Sequence, residues 1–92
     1  MELAARHPAI LPAVLHWKQL ILKNDFANLA ALRRQIPSAD QVRVKSGRAV
    51  TIFNLRNSHR LITAIHYNLS RVFVLRLLSH AEYDRNHWKN EL

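Results

Sequence analysis

The first part of the chain carries apolar residues at helical spacing. The stripe is formed by Ile10, Val14, Trp17 and Ile21 and is widened by Leu11, Leu15 and Leu22. Pro8 and Pro12 fit only near the start of a helix, which we therefore predict over residues 9–23. A second helix is predicted over 26–35, capped by Asn24 or Asp25 and ended by Pro37. Its inward-facing residues are Leu29, Leu32 and Ile36.

After Pro37 the apolar period becomes two and β-branched residues dominate, which indicates strands. They are predicted over 42–45, 48–55, 60–67 and 71–79, with turns at Ser46-Gly47, 56–59 and Asn68-Leu69-Ser70. Such short connections predict an antiparallel meander. The last strand is apolar on both faces apart from Arg76, which predicts a central, covered position.

Ser79 stands three residues before Glu82, directly after the last strand, in the pattern of a capping box. A short C-terminal helix is therefore predicted over 80–90. The predicted fold class is α+β, with residues 1–92 forming one domain. In it, an N-terminal helical hairpin packs on an antiparallel sheet of three to four strands, followed by the short helix.

Composition excludes several classes of function. The chain has 92 residues, no cysteine and a single glycine, so glycine-lined phosphate loops are absent. No apolar run approaches the ~20 residues that cross a membrane, and no signal peptide opens the chain, so we expect a cytoplasmic protein without membrane contact. The histidines show no metal-ligand spacing, and we expect neither a metal nor a cofactor.

The net charge of +8 is concentrated in one segment. No acidic residue lies between Asp40 and Glu82, whereas the rest of the chain holds seven basic and six acidic residues. The segment contains seven cations: Arg43, Lys45, Arg48, Arg56, Arg60, Arg71 and Arg76. A solvated surface is the simpler interpretation, but a clustered basic stripe favours a polyanion such as RNA. Candidate RNA-binding residues are Arg43, Lys45, Arg48, Arg56 and Arg71.

The strongest candidate site joins the last strand to the helix after it. Alternation along the strand predicts that Arg76 and His80 project to one side, and His80 and Tyr83 are neighbours on the first helical turn. Arg60 opens the preceding strand and is expected nearby in a meander. The helix N-terminus would attract phosphate and favour neutral His80. A general base, a general acid and a cationic clamp are the groups that metal-free RNA cleavage requires. Taken alone, His80 is more often a surface histidine and Tyr83 a packing residue.

The same region resembles the HigB family of bacterial toxins. The similar blocks are Pro37-Ser38-Ala39-Asp40-Gln41-Val42, Phe53-Asn54-Leu55, Asn57, Arg60-Leu61-Ile62, His80-Ala81-Glu82-Tyr83-Asp84 and Trp88-Lys89-Asn90, together with His7-Pro8 and Trp17. The resemblance implies a RelE-like fold and a metal-independent mRNA endoribonuclease that usually depends on the ribosome. It also implies a HigA-type helix-turn-helix antitoxin, bound in a toxin–antitoxin hetero-oligomer.

The resemblance also assigns roles to residues. The family's strand arginines fall on Arg60 and Arg76, and its C-terminal motif falls on His80, Glu82, Tyr83 and Asp84. Cleavage in the superfamily is taken to use the RNA's own 2′-OH. His80 would then be the base, Tyr83 would orient a nucleobase or act as the acid, and the two arginines would stabilise the pentavalent phosphate.

The chain departs from the family in its turn at 56–60, which is one residue shorter and lacks the usual lysine. A phosphate-binding role of that lysine would be vacant here or pass to Arg56. Only six residues precede His7, so we expect a sheet without the family's first strand or a start codon assigned too late. Two other functions stay open: a module that binds RNA or antitoxin without cleavage, and a structural partner of an acidic protein.

Overall fold

A computed structural model describes residues 8–23, 26–56, 58–67 and 71–92. A 3-10 turn at Pro8–Ile10 leads into helix α1 (Leu11–Lys23), and a short helix α2 (Leu29–Gln35) follows. The strands are β1 (Asp40–Arg43), β2 (Ala49–Leu55), β3 (His59–His66) and β4 (Arg71–Ser79). Two one-turn helices, α3 (His80–Asp84) and α4 (His87–Glu91), complete the described chain. None of the described helices is long and apolar enough to cross a membrane.

Helix α1 confirms the predicted helix, but only one narrow stripe of it is buried. Ile10, Val14 and Trp17 lie in the core. Leu11, Leu15 and Leu22 are 38%, 50% and 74% exposed, so the expectation that they widen the buried stripe is wrong. They lie about 100° around the helix from the buried residues and miss the sheet.

Helix α2 begins later than predicted. Its N-cap is Asn28, whose Oδ1 accepts a hydrogen bond from the Ala31 N–H at 2.9 Å. This bond satisfies one of the free N–H groups of the first turn, so Asn28 fixes the start of the helix. The predicted caps, Asn24 and Asp25, lie outside the described residues.

The four strands form one antiparallel sheet in the order β1-β2-β3-β4, which confirms the predicted meander. The central position predicted for β4 is wrong, because each described strand pairs with the next and β4 is the last of them in the order. Phe73 of β4 is accordingly 47% exposed. The turn predicted at residues 68–70 lies outside the described residues.

A β-bulge interrupts the pairing of β3 with β4. Ile62 lies opposite Arg76, whereas Thr63 lies opposite Val74, so Leu75 is an extra residue on β4. An extra residue reverses the alternation of side chains beyond it. On one face of the sheet, β4 therefore presents odd-numbered residues before Leu75 and even-numbered residues after it.

Helices pack against both faces of the sheet, although part of one face stays uncovered. On one face, α1 and α2 bury a cluster that includes Trp17, Leu32, Phe53 and Leu61, with the Trp17 and Phe53 rings edge to face at 5.4 Å. On the other face, Trp88 of α4 is 3% exposed and packs with Val44, which follows β1, and with the strand residues Val50, Ile52 and Ile62. Helix α4 therefore contributes to the core through Trp88.

The single helix predicted over 80–90 is two helices. Asn86 adopts a left-handed conformation with φ 63°, which ends α3 and redirects the chain. The new direction lets the Trp88 Nε1–H donate to the Tyr83 carbonyl at 3.0 Å. It also brings α4 to the β1–β2 hairpin, where the Lys45 N–H donates to the Lys89 carbonyl at 3.0 Å. The predicted capping box at Ser79 is confirmed.

Candidate active site

The start of α3 is fixed against the turn between β2 and β3. The His80 N–H donates to the Ser58 carbonyl at 2.8 Å. Within the capping box, the Glu82 N–H donates to Ser79 Oγ at 3.2 Å and the Ser79 N–H to Glu82 Oε1 at 3.1 Å. These three donors are already used, and the helix has only five residues. Two amides of the first turn, those of His80 and Glu82, therefore already have acceptors, and phosphate binding at this helix N-terminus stays a prediction.

Arg60 and Tyr83 are brought together, as the meander predicts. Arg60 lies opposite Leu78 near the end of β4, and its Cζ is 5.7 Å from the centre of the Tyr83 ring. The Tyr83 ring also stacks on the Trp88 ring, with ring centres 5.3 Å apart and an angle of 18°. The phenol ring thus contacts both a guanidinium and an indole, in a cation–π and stacking arrangement.

The environment of Tyr83 raises the pKa of its phenol. Burial is the main cause, Asp40 and Asp84 raise it further, and Arg60 partly opposes them. The hydroxyl therefore keeps its proton at neutral pH, which suits a proton donor and not a base.

His80 pairs with a residue that spacing alone had not singled out. Its Nδ1 lies 2.7 Å from Asp84 Oδ2, and both side chains are about half exposed, at 52% and 58%. A carboxylate on Nδ1 holds the proton there and leaves Nε2 as the acceptor nitrogen of the neutral ring. The i,i+4 spacing of the two residues is the sequence signal that could have found this pair.

Arg76 lies on the same face as Arg60 as its diagonal neighbour across β3 and β4, a position within reach of long side chains. Its guanidinium donates to the Leu75 carbonyl at 2.8 Å and to Glu91 Oε2 at 3.3 Å. It opens into a cleft of about 260 Å³ lined by Arg76, Leu78, Glu82, Arg85, His87, Trp88 and Glu91. His80 does not line this cleft.

The five predicted RNA-binding residues are divided between the two ends of the sheet. Arg56 lies at the end that carries Arg60 and His80, with its Nη1 3.4 Å from the Ala9 carbonyl oxygen. The others lie at the opposite end, roughly 20 Å away along β2: Arg43, Lys45, Arg48 and Arg71. Arg43 donates to the Gly47 carbonyl at 2.7 Å.

Among the described residues, no group of three histidine, cysteine or acidic side chains is placed to hold a metal ion.

A four-stranded antiparallel meander with helices on both faces defines a small α+β protein. The family model HigB_toxin, described as the RelE-like toxic component of a toxin–antitoxin system, matches residues 12–86. The chain therefore belongs to this family, which confirms the resemblance and the predicted fold class. It is a toxin of a toxin–antitoxin system, and the family implies an antitoxin as its partner. A search of curated proteins finds no match to the chain.

Proposed function

We propose that this toxin is an mRNA endoribonuclease that works without a metal on ribosome-bound mRNA in the cytoplasm. One observation carries the proposal: at a single end of the sheet, Arg60 contacts the Tyr83 ring beside a His80 imidazole that is oriented by a carboxylate. A cation, a protonated phenol and a histidine with a free Nε2 are the groups that phosphodiester cleavage by a neighbouring hydroxyl needs. The family to which the chain belongs supports the same function.

In the proposed reaction, His80 Nε2 removes the proton of the RNA 2′-OH. The 2′ oxygen attacks the adjacent phosphorus, and the bond from phosphorus to the 5′ oxygen of the next nucleotide breaks. Tyr83 gives its proton to that leaving oxygen, so the products are a 2′,3′-cyclic phosphate and a 5′-OH. Arg60 and Arg76 stabilise the negative charge that builds up on the pentavalent phosphate.

We propose a HigA-type helix-turn-helix protein as the antitoxin, in a hetero-oligomer with this chain. The support is the family match together with the sequence blocks that resemble HigB.

A second function, RNA binding without cleavage, is favoured by one observation. Arg76 is held by Glu91 at 3.3 Å, so one of the two arginines assigned to the transition state already has an anionic partner. In a nuclease, the substrate phosphate must displace Glu91 from Arg76. In a binding module, the pair stays intact.

Cleavage of an mRNA on programmed ribosomes, followed by primer extension, distinguishes the two functions. The matched control is Arg34→Ala, which removes an exposed arginine from the last turn of α2. We expect the wild type and Arg34→Ala to cut alike, and His80→Ala to cut about 10²–10⁴-fold more slowly. Circular dichroism establishes that each variant is folded.

An intact mRNA with the wild type would reject the nuclease and leave the binding module. Equal cleavage by His80→Ala and the wild type would remove His80 from the reaction. Fragments that end in a 3′-OH would contradict attack by the 2′-OH.

A further inference from the structure

The bulge in β4 places residues from both halves of the strand on one face of the sheet. Arg71 and Phe73 precede Leu75, and Arg76 follows it. Without the extra residue, the odd-numbered Arg71 and Phe73 would face away from Arg76. With it, all three share the face of Arg60.

Phe73 presents an exposed ring on this face. Its cross-strand neighbour is Ala64, whose small side chain leaves the ring uncovered, and Phe73 is 47% exposed. His66 meets the Phe73 ring at 5.4 Å and an angle of 85°. A fixed, exposed aromatic ring on the open part of a sheet is suited to stack on a flat ligand.

Cations flank the ring on both sides along β4. Arg71 is exposed and takes part in none of the ion pairs among the described residues. On the other side is Arg76, which Glu91 holds and whose cleft Glu82 also lines. Neither β3 nor β4 contains an acidic residue. Alternating cations and aromatic rings are the surface by which proteins hold single-stranded nucleic acid, with phosphates on the cations and bases on the rings.

We propose that Arg71, Phe73, His66 and Arg76 form a track that binds single-stranded RNA and leads it to Arg60 and Tyr83. One nucleobase stacks on Phe73, and the phosphates on either side of it are bound by Arg71 and Arg76. The inference rests on the proposed function, because the track binds the same substrate. It adds a binding segment that begins at the opposite end of β4 from His80.

The test measures binding of a short single-stranded RNA that carries 2′-O-methyl groups and so cannot be cut. We expect Phe73→Ala and Phe73→Leu each to weaken binding by about 5- to 150-fold, since stacking on one aromatic ring contributes that factor. Phe73→Trp keeps a stacking ring, so it should bind like the wild type and add a tryptophan fluorescence that RNA quenches. Arg71→Ala should lower the slope of log affinity against log salt by about 1.

The matched control is Leu15→Ala, which removes an equally exposed apolar side chain from α1, on the other face of the sheet. It should bind RNA as the wild type does. Equal binding by Phe73→Ala and the wild type, with no quenching in Phe73→Trp, would overturn the track. Loss of antitoxin binding in Phe73→Ala, with RNA binding intact, would overturn it as well.

The outcomes separate this inference from the proposed function. Binding that depends on Phe73, in a protein that cuts no mRNA, would reject the nuclease and support the track. Normal cleavage by Phe73→Ala, with unchanged RNA affinity, would reject the track and leave the nuclease.

Discussion

At the scale of single residues, the His80 imidazole is held by the carboxylate four positions further along the chain. Asp84 Oδ2 lies 2.7 Å from Nδ1, so the proton on that nitrogen is fixed and Nε2 is left to accept. Both side chains are about half exposed, and exposed ion pairs contribute only about 0.2–1 kcal/mol. In the proposed reaction Asp84 is therefore a positioning residue, and its effect on the cleavage rate should be small.

We predict that Asp84→Asn changes the tautomer of neutral His80. The fraction of rings with the proton on Nδ1 should fall, because the amide offers a weaker acceptor than the carboxylate, and nitrogen chemical shifts measure this directly. The cleavage rate should fall roughly two- to fivefold, as the exposed pair allows. Unchanged nitrogen shifts in Asp84→Asn would show that the contact does not orient the ring.

We also predict that Tyr83 contributes to the loss of stability in alkali. Its folded-state pKa is raised above the ordinary 10.0, chiefly by burial. The unfolded chain therefore loses its phenol proton first, so the free energy of unfolding is unaffected below pH 10 and falls as the pH rises above it. In Tyr83→Phe this decline should be shallower in urea unfolding curves.

Tyr67 provides the comparison for this pH dependence. Burial raises its pKa as well, although a hydrogen bond with Thr51 and the charge of Arg33 oppose the rise. Tyr67→Phe should also flatten the alkaline decline, and the double variant should flatten it further. A Tyr83→Phe curve parallel to that of the wild type above pH 10 would contradict the argument.

Residue chemistry and spacing predict the cationic and aromatic parts of the site but not their pairings. The predicted meander brings Arg60 towards the end of β4, but the contact of its guanidinium with the Tyr83 ring depends on where α3 places that ring. The Glu91 contact with Arg76 depends on the position of α4, which the sequence pattern places at the end of a continuous helix. Phe73 looks like a core residue in the sequence, because nothing local reveals that β4 ends the sheet.

At the scale of elements, two independent sets of hydrogen bonds fix the start of α3. The capping box closes the helix on itself, and the His80 N–H ties it to the Ser58 carbonyl in the preceding turn. Together these hydrogen bonds fix the position of His80 relative to the end of β4. The cap therefore supports both the stability of the helix and the position of the proposed base.

We predict that Ser79→Ala lowers the free energy of unfolding by about 1 kcal/mol, because it leaves the Glu82 N–H without its acceptor. Asn28→Ala removes the matching cap of α2 and should have a similar effect on stability in urea unfolding. Only Ser79→Ala should also slow cleavage, since α2 contributes no residue to the proposed site. A similar loss of cleavage in Asn28→Ala would show that stability alone explains the effect.

Apolar periodicity predicts most elements here, and the exceptions have physical causes. The four strands follow the alternation of apolar residues to within one or two residues at most ends. The helix break at Asn86 does not show in this pattern, because asparagine tolerates both helical and left-handed backbone. The sequence does not predict the bulge at Leu75 either. A strand that is apolar on both faces shows no alternation of apolar and polar residues, so a change of register leaves no trace in the pattern.

At the scale of the whole molecule, the sheet separates the described surface into three regions. One face is occupied by α1 and α2, and part of the other by α3 and α4. The uncovered part of the second face carries the proposed RNA track, and it leads to the end that holds Arg60, Tyr83 and His80. The cations of the acid-free segment thus lie at both ends of the sheet, and β4 connects the two groups.

The strand order also has a consequence for how the protein is made. Because each strand pairs with the one before it, the sheet can form in the order of synthesis, through contacts that are short in sequence. The proposed base and acid come last, on α3, and Tyr83 gains its stacking partner only when Trp88 has been added. A growing chain therefore cannot complete the proposed site until α4 has been made and Trp88 packs against the sheet.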